Sequence, residues 1–477
     1  MKNKIVFMGI GIAAFISFSI PVFASTKSSL KKVDAMVKTQ TGIDTGLIQN
    51  LSDADIEKEI ENILNEPLSV GGAVKIAILN NPSVKAAMAG LGISQADLVQ
   101  AGLLHNPRFS GFVRKSNEED SKTNTEFEVK GDVMDLFFWP LRKRLASTQF
   151  KQSEYELAKT IVDFITDVRI GFYTWQASTH MLAMRQEHFK AEEAALELAE
   201  RQKQAGNIND LDLEQQKAIY YQAKTDLQRS ELEAGLAAEQ LRNFLGLTDS
   251  NLEWLSQKNL SDLPSDEFSL SDLEEKALAN RIDLAMKQQQ LKAFEQSLTM
   301  ARLGVIPSVE GGYNWEKESN GERLKGPAFE TEVPVFDRKQ ADRLRVQSQI
   351  EAGKKQLEAL GSQVRMEVRL AYGQLTSDKA MVETYMQAIP IRREILKQTL
   401  SHYNYMLKGV YDLLRAKQEE INTRRDYIMA LRDYWIARAE LEHAVGVFLP
   451  VKESTVQEKF MKEPEIEPEH HHHGGTK

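Results

Sequence analysis

The sequence predicts an α+β membrane protein made of one duplicated unit. Each copy joins two short strands to long coiled-coil helices. Three observations predict it. A set of residues recurs at a spacing of 200 positions. Two pairs of short segments alternate apolar and charged residues. Apolar seams of period 3.5 run through helices far too long for a compact core.

The repeat is plainest in "AGLLHNPRFSGF" (101–112) and "ARLGVIPSVEGG" (301–312). There Ala101, Leu103, Pro107 and Gly111 match Ala301, Leu303, Pro307 and Gly311. The same offset relates Ala77 to Ala277, Asn80 to Asn280, Val168-Arg169 to Val368-Arg369, Asp212-Leu213 to Asp412-Leu413, and Gly246 to Gly446. A period this long suits a duplicated domain and not a solenoid. The expected organisation is a leader (1–24), an N-terminal segment (25–67), a first unit (68–246), a connecting segment (247–267), a second unit (268–446) and a tail (447–477).

The leader shows Lys2 and Lys4, an apolar run over 5–20 and a small residue at Ala24. This is the layout of a secretory signal peptide cleaved after Ala24, with a retained N-terminal anchor as the alternative, for which the apolar run is short. Losing the two lysines takes the formal charge from −9 to −11. An acidic chain argues against nucleic acid as a partner, because phosphate binding relies on basic surface. The chain has no cysteine, which excludes disulfides, thiolate metal sites and a lipid-modified cysteine. No segment after the leader is long and apolar enough for a membrane helix, so any spanning part must use strands.

Each unit opens with a helix (about 69–104; about 271–304), and Asn81-Pro82 is expected to kink or split the first copy. Strands follow at about 107–115 and 125–137, and at about 307–318 and 327–336. Phe127, Val129 and Val133 share one parity, while Glu126, Glu128, Lys130 and Asp132 share the other. The second copy sets Phe329, Thr331 and Val333 against Glu330 and Glu332. Polar turns at 116–120 and 318–322 separate the strands of each pair. Pro107, Pro307, Pro140 and Pro334 sit at the expected boundaries between helix and strand.

Two long helices complete each unit, at about 141–205 and 210–246, and again at about 337–406 and 410–446. Leu157, Ile161, Phe164, Val168 and Trp175 follow the steps of a coiled-coil seam, and Leu357, Val364, Val368 and Leu375 repeat it. In the closing helix Leu213, Tyr220, Leu227, Ala234 and Leu241 lie seven apart. A helix of about 65 residues reaches roughly 100 Å at 1.5 Å per residue.

Four strands with one apolar and one charged face cannot close alone, since membrane barrels begin at about eight strands. Two chains would supply eight strands around a filled interior; three would supply twelve around a water-filled lumen. Apolar residues would then face lipid. Glu126, Glu128, Lys130, Asp132, Glu330 and Glu332 would face the lumen. Phe137-Phe138-Trp139 and Phe336 would end the second strand of each hairpin as an interfacial aromatic belt. The competing arrangement is a soluble hairpin pair packed on a helix.

Taken together, the duplicated unit, "AILNNPSVKAA" with "ALANRIDLAM", "QAGLLHNPRFSG" with "MARLGVIPSVEGG", and the stretches "QAGNINDLDL" and "MLKGVYDLL" resemble the TolC family of outer-membrane efflux proteins. The resemblance covers about 68–446. "AGLLHNP", "PLRKR" and "GNINDLDLE" resemble its heavy-metal branch most. The resemblance implies a homotrimer in the outer membrane of a Gram-negative bacterium. Its twelve-stranded barrel would continue as a helical periplasmic tunnel. It implies a passive duct without cofactor, served by a periplasmic adaptor and an inner-membrane efflux pump of the RND type. It implies that 204–212 and 407–412 form the periplasmic tips, with Gly206, Asn209, Asp210, Asp212, Gly409 and Asp412 as adaptor contacts. Gly206 and Gly409 are then expected as helix C-caps, with Asn209 tolerating the left-handed conformation too.

The family's tip gate often uses a ring of aspartates. Here Arg415 and Gln418 stand near those places, so Asp412, Arg415 and Glu419 are the gate candidates. In the tail, His470, His471, His472 and His473 beside Glu467 and Glu469 are a weak candidate for copper, nickel or zinc, or else a tag remnant. No phosphate loop, H-E-x-x-H or G-x-S-x-G supports an enzyme. A soluble coiled-coil scaffold and the exit duct of a one-step protein secretion system remain as alternatives.

Overall fold

The duplication reappears in the order of elements. In the computed structural model the described residues are 22–45, 52–115, 123–247, 260–261, 263–264 and 268–450. Positions 1–21 of the leader, the turn at 116–120, most of the connecting segment and the histidines of the tail lie outside them. Two helices come first, α1 (Val22–Thr41) and α2 (Asp53–Leu64). The first unit runs α3 (Val70–Asn80), α4 (Pro82–Ala101), β1 (Arg108–Arg114), β2 (Asn124–Asp132), α5 (Asp135–Gln204) and α6 (Asp210–Leu245). The second repeats it with α7 (Leu270–Asn280), α8 (Ile282–Leu303), β3 (Ser308–Lys317), β4 (Arg323–Glu332), α9 (Gln340–Asn404) and α10 (Val410–Val445).

The opening helix of each unit is broken in both copies, although only the first has a proline there. Proline is therefore not the common cause. Asn81 and Arg281 both adopt extended backbone, with ψ of 124° and 127°. What the breaks share is a task. Asn80 Nδ2 donates to the carbonyls of Leu245 and Gly246 at 3.1 and 2.8 Å, and Asn81 Nδ2 to those of Asn243 and Phe244 at 3.2 and 2.9 Å. In the second unit Arg281 Nη1 donates to the Ala444 carbonyl at 3.2 Å. Each break thus feeds donors to carbonyls that a helix C-terminus leaves unsatisfied. Gly246 and Gly446 end α6 and α10 at φ +67°, a left-handed cap that glycine adopts without steric cost.

β1 to β4 form one antiparallel sheet in sequential order. Gly111 lies opposite Phe127, Val129 opposite Tyr313, and Gly311 opposite Phe329. β2 pairs with β3, so the two units share a single sheet. Two strand ends differ from expectation. β2 stops at Asp132, and Phe137, Phe138 and Trp139 belong to the first turns of α5. The reason is a cap: Asp132 Oδ1 accepts from the N–H groups of Met134 and Asp135 at 2.8 and 3.3 Å, which starts the helix before Pro140. β4 likewise stops at Glu332, and Val333 to Lys339 lead into α9.

α5 packs along α6 and α9 along α10, and α5 also meets α10, which joins the units. Leu157, Ile161, Val168, Trp175, Val364, Val368 and Leu375 are buried as the heptads require. On α6 the buried positions are mostly small — Ala223, Ser230, Ala234 and Ala237 — so the backbones approach closely. No helix among the described residues is long and apolar enough to cross a membrane.

A Cβ at Gly246 would lie 3.1 Å from Asn81 Cα and 3.2 Å from the Asn80 carbonyl carbon, where the backbone is already left-handed. Gly246→Val is expected to cost about 1–3 kcal/mol, read as earlier loss of helical circular dichroism on heating. Gly71→Ala, with open space around its Cβ, is expected to melt no earlier than the parent.

Candidate functional site

Two helical hairpins end in matched turns. At the first, Gly206 N–H donates to the Lys203 carbonyl at 3.0 Å and Asn207 N–H to the Gln202 carbonyl at 2.9 Å. At the second, Met406 N–H donates to the Tyr403 carbonyl at 2.9 Å and Leu407 N–H to the His402 carbonyl at 2.8 Å. Both are the double-bonded helix stop that needs a left-handed residue. Gly206 fills it at φ +77°, as expected. Its counterpart is Met406 at φ +55°, not Gly409. Gly409 (φ −82°) and Asn209 (φ −87°) are extended and cap the N-termini of α10 and α6. The expectation that they end the preceding helix is therefore corrected. The reason is turn length: the stop falls at the second residue past α5 or α9, and these two lie three further on. Asn209 Oδ1 accepts from the Asp212 N–H at 2.8 Å, the role its short polar side chain suits.

The acids of the first tip are tied. Asp210 accepts from Lys203 Nζ at 2.6 Å, which holds its carboxyl below the ordinary range. Asp212 accepts from the Tyr411 hydroxyl, so the start of α6 is tied to the start of α10. Burial and this carboxylate push the Tyr411 hydroxyl up to about 12. Tyr411 was not singled out in the sequence; its only signal is that it precedes Asp412 within the repeat. The second tip is apolar and bare. Tyr405, Met406 and Leu407 are 75%, 94% and 72% exposed.

The gate candidates share one face of α10. Asp412, Arg415 and Glu419 line a cleft of about 190 Å³ with Arg392, Thr399 and Lys408. Glu419 pairs with Arg392 of α9 at 3.3 Å. The cleft joins these three residues, and it adds Arg392 of α9 and Lys408 of the turn, which spacing along α10 cannot reveal.

On the sheet, Glu126, Glu128, Lys130, Glu330 and Glu332 fall on one face together with Arg108, Glu310, Asn314 and Glu316, by the register. Lys130 Nζ reaches Glu128 at 3.0 Å and Glu330 at 2.9 Å. To reach β4 it crosses β3 at Gly312, where a Cβ would lie 2.9 Å from Lys130 Cγ. Asn314 Nδ2 donates to Glu126 at 2.9 Å, and Asn124 Nδ2 to Glu316 at 3.1 Å. Asp132 stands at the end of this face and serves the α5 cap as well. The opposite face exposes Phe109, Val113, Phe127, Tyr313, Trp315 and Phe329.

Between the units, at the α5–α10 contact, lies a buried charge cluster. Arg169 Nη1 is 2.5 Å from Glu442 Oε2, and Arg438 Nε is 3.5 Å from Glu442 Oε1. Arg438 Nη2 donates to the Leu449 carbonyl at 2.8 Å, and its guanidinium lies 5.5 Å from the Phe268 ring centre. The repeat mate Arg369 is exposed and pairs with Glu274 at 2.6 Å. Among the described residues, no group of three or more His, Cys, Asp and Glu is placed to hold a metal ion.

A duplicated strand-pair and helical-hairpin unit, one sheet with a charged and a greasy face, and paired hairpin tips define a channel-type outer-membrane fold. Residues 73–247 and 273–447 each match the outer membrane efflux protein family, and the chain belongs to that family. The two matches are offset by the same 200 residues as the repeat. The chain is 22% identical over 395 residues to the cobalt-zinc-cadmium resistance protein CzcC of Cupriavidus metallidurans, covering 80% of this chain and 90% of that one. This agrees with the heavy-metal branch of the TolC family read from the sequence. Its fold is similar to that of a Pseudomonas aeruginosa membrane protein (TM-score 0.68, 17% identity, 79% and 93% of the two chains). It is also similar to CusC (0.66, 16%, 80% and 92%) and to the Vibrio cholerae outer membrane protein VceC (0.66, 15%, 79% and 96%).

Glu442→Gln removes the carboxylate shared by Arg169 and Arg438. Breaking such a buried pair is expected to cost about 3–5 kcal/mol, read as a lower urea midpoint; Glu274→Gln, at the exposed mate, is expected to shift it little. Tyr411→Phe removes a charge-assisted hydrogen bond worth about 1.5–3 kcal/mol. Backbone amide exchange over 205–212 and 405–412 is expected to speed by about tenfold or more.

Proposed function

We propose that three copies of this chain form a passive exit duct in the outer membrane of a Gram-negative bacterium. In this reading twelve strands close a barrel, and six helical hairpins continue it as a tunnel in the periplasm. The observation that carries it is the four-stranded sheet. Among the described residues its outer strands β1 and β4 each keep one unpaired edge, and its faces divide mostly apolar from mostly charged, with Lys317, Arg323 and Lys325 at the turn end of the apolar one. A bilayer tolerates no open strand edge, so the edges must pair with those of neighbouring copies. Twelve strands leave room for water where about eight leave an interior filled by side chains.

The lumen then takes seven carboxylates (Glu126, Glu128, Asp132, Glu310, Glu316, Glu330, Glu332) against Arg108, Arg114 and Lys130 per chain. That balance favours cations. The cargo is metal ions or small toxic compounds, in line with the name of the relative CzcC. The hairpin tips, with Gly206, Asn209, Asp210, Asp212, Gly409 and Asp412, meet a periplasmic adaptor that links the duct to an inner-membrane pump of the RND type. Asp412, Arg415 and Glu419 close the mouth, with the Asp212–Tyr411 tie holding adjacent hairpins together. The tail histidines His470 to His473 would hold metal weakly and are not required by this scheme.

In planar bilayers the purified chain is expected to conduct and to prefer potassium over chloride, read from the reversal potential in a salt gradient. A water-soluble monomer without conductance would end the proposal. Deleting the gene is expected to sensitise cells to cobalt, zinc or cadmium. Loss of a secreted protein with unchanged metal tolerance would instead favour a secretion duct.

A further inference from the structure

The sheet and the helices meet at one end of the sheet. The starts of β1 and β3 and the ends of β2 and β4 lie there together, because Arg108 pairs with Lys130 and Ser308 with Glu332. Segments 133–145, 302–307 and 333–345 therefore form a collar where strands give way to helices. Two properties distinguish it. The first is an exposed apolar band: Phe336 is 93% exposed, Phe137 67%, Val335 58% and Ile306 48%. The second is charge. These three segments hold eight Lys and Arg against three Asp, whereas the whole chain holds 60 against 69. Both units supply it, Lys143 and Arg144 from one and Arg338, Lys339 and Arg343 from the other.

The three acids offset part of this charge and leave five cations in excess; Asp337 accepts from the Lys339 backbone N–H. Asp135 is occupied by Arg142, and Asp342 by Arg345 at 2.9 Å with Lys339 at 3.8 Å. Lys143 lies with Nζ 5.5 Å from the centre of the Trp139 ring, and Trp139 Nε1 donates to the Gly102 carbonyl at 2.8 Å. The indole is thereby fixed at the rim with an ammonium over its ring. Lys339 is held at φ +56° just after Phe336, so an exposed ring and cations project from one short segment.

We propose that this collar binds the anionic phospholipid headgroups of the leaflet on the helical side of the membrane. The inference rests on the barrel reading above. Exposed rings would sit at the acyl boundary, and the cations, a step further from the sheet, at the level of the lipid phosphates. An ammonium or guanidinium is attracted to an anionic bilayer surface, so the collar selects among lipids as well as anchoring the barrel.

The test uses the full chain reconstituted into phosphatidylcholine vesicles doped with spin-labelled phosphatidylglycerol or spin-labelled phosphatidylcholine. The parent is expected to hold phosphatidylglycerol about fivefold or more over phosphatidylcholine, with the preference falling as salt rises. The variant Lys143→Gln, Arg144→Gln, Arg338→Gln, Lys339→Gln is expected to insert and conduct but to bind both lipids alike. A control carrying Lys58→Gln, Lys224→Gln, Lys354→Gln and Lys397→Gln, all exposed and away from the collar, is expected to keep the preference. An inserted, conducting parent without lipid preference, or a collar variant that retains it, overturns the inference and leaves the barrel reading intact. A parent that inserts into neither membrane overturns the barrel reading first, and the collar with it.

Discussion

The hydrogen-bonded pairing of β2 with β3 is the constraint on which the rest depends. It fuses two hairpins from distant parts of the chain into one sheet. Each unit must then deliver its strands at the same height and its helices at the same angle. An insertion in one copy alone would shift its register, and a one-residue slip would turn every charged side chain to the other face. The constant 200-residue offset is the imprint of that requirement in sequence. It also explains why the breaks at Asn81 and Arg281 are congruent although their chemistry differs.

Congruence of backbone leaves side chains free to diverge, and they do. Arg169 and Arg369 occupy equivalent places, yet one is sealed against Glu442 and the other pairs with Glu274 at the surface. The first sits in the contact between α5 and α10, where the units meet within one chain. A buried cluster of two arginines and one carboxylate is costly to desolvate, and its benefit is a fixed geometry at that contact. The same divergence marks the tips. A glycine serves the left-handed stop in one, and a methionine flanked by exposed apolar residues serves it in the other.

Much of the candidate site could be read in the sequence, and the missing parts have physical causes. Strand faces were legible because alternation is local: Phe127 and Glu128 differ in parity whatever surrounds them. The long helices were legible because seams such as Leu157 to Trp175 persist over many turns. The ends of β2 and β4 were not. Aromatic residues such as Phe137 suit strand and helix alike, and only the Asp132 cap decides between them. The caps at Asn209 and Gly409 were misassigned because glycine and asparagine serve several turn positions, and only the count from the last helical residue separates them.

Residue order by itself determined the duplication, the two periodicities and the two-faced strands, because these follow from spacing along a chain with fixed rise and pitch. Tertiary structure alone decided which distant groups meet: Tyr411 with Asp212, Lys130 with Glu330 across Gly312, and Arg169 with Glu442. Each of these contacts depends on how two elements lie against each other, and a side chain's reach across that gap leaves no periodic trace in its own segment.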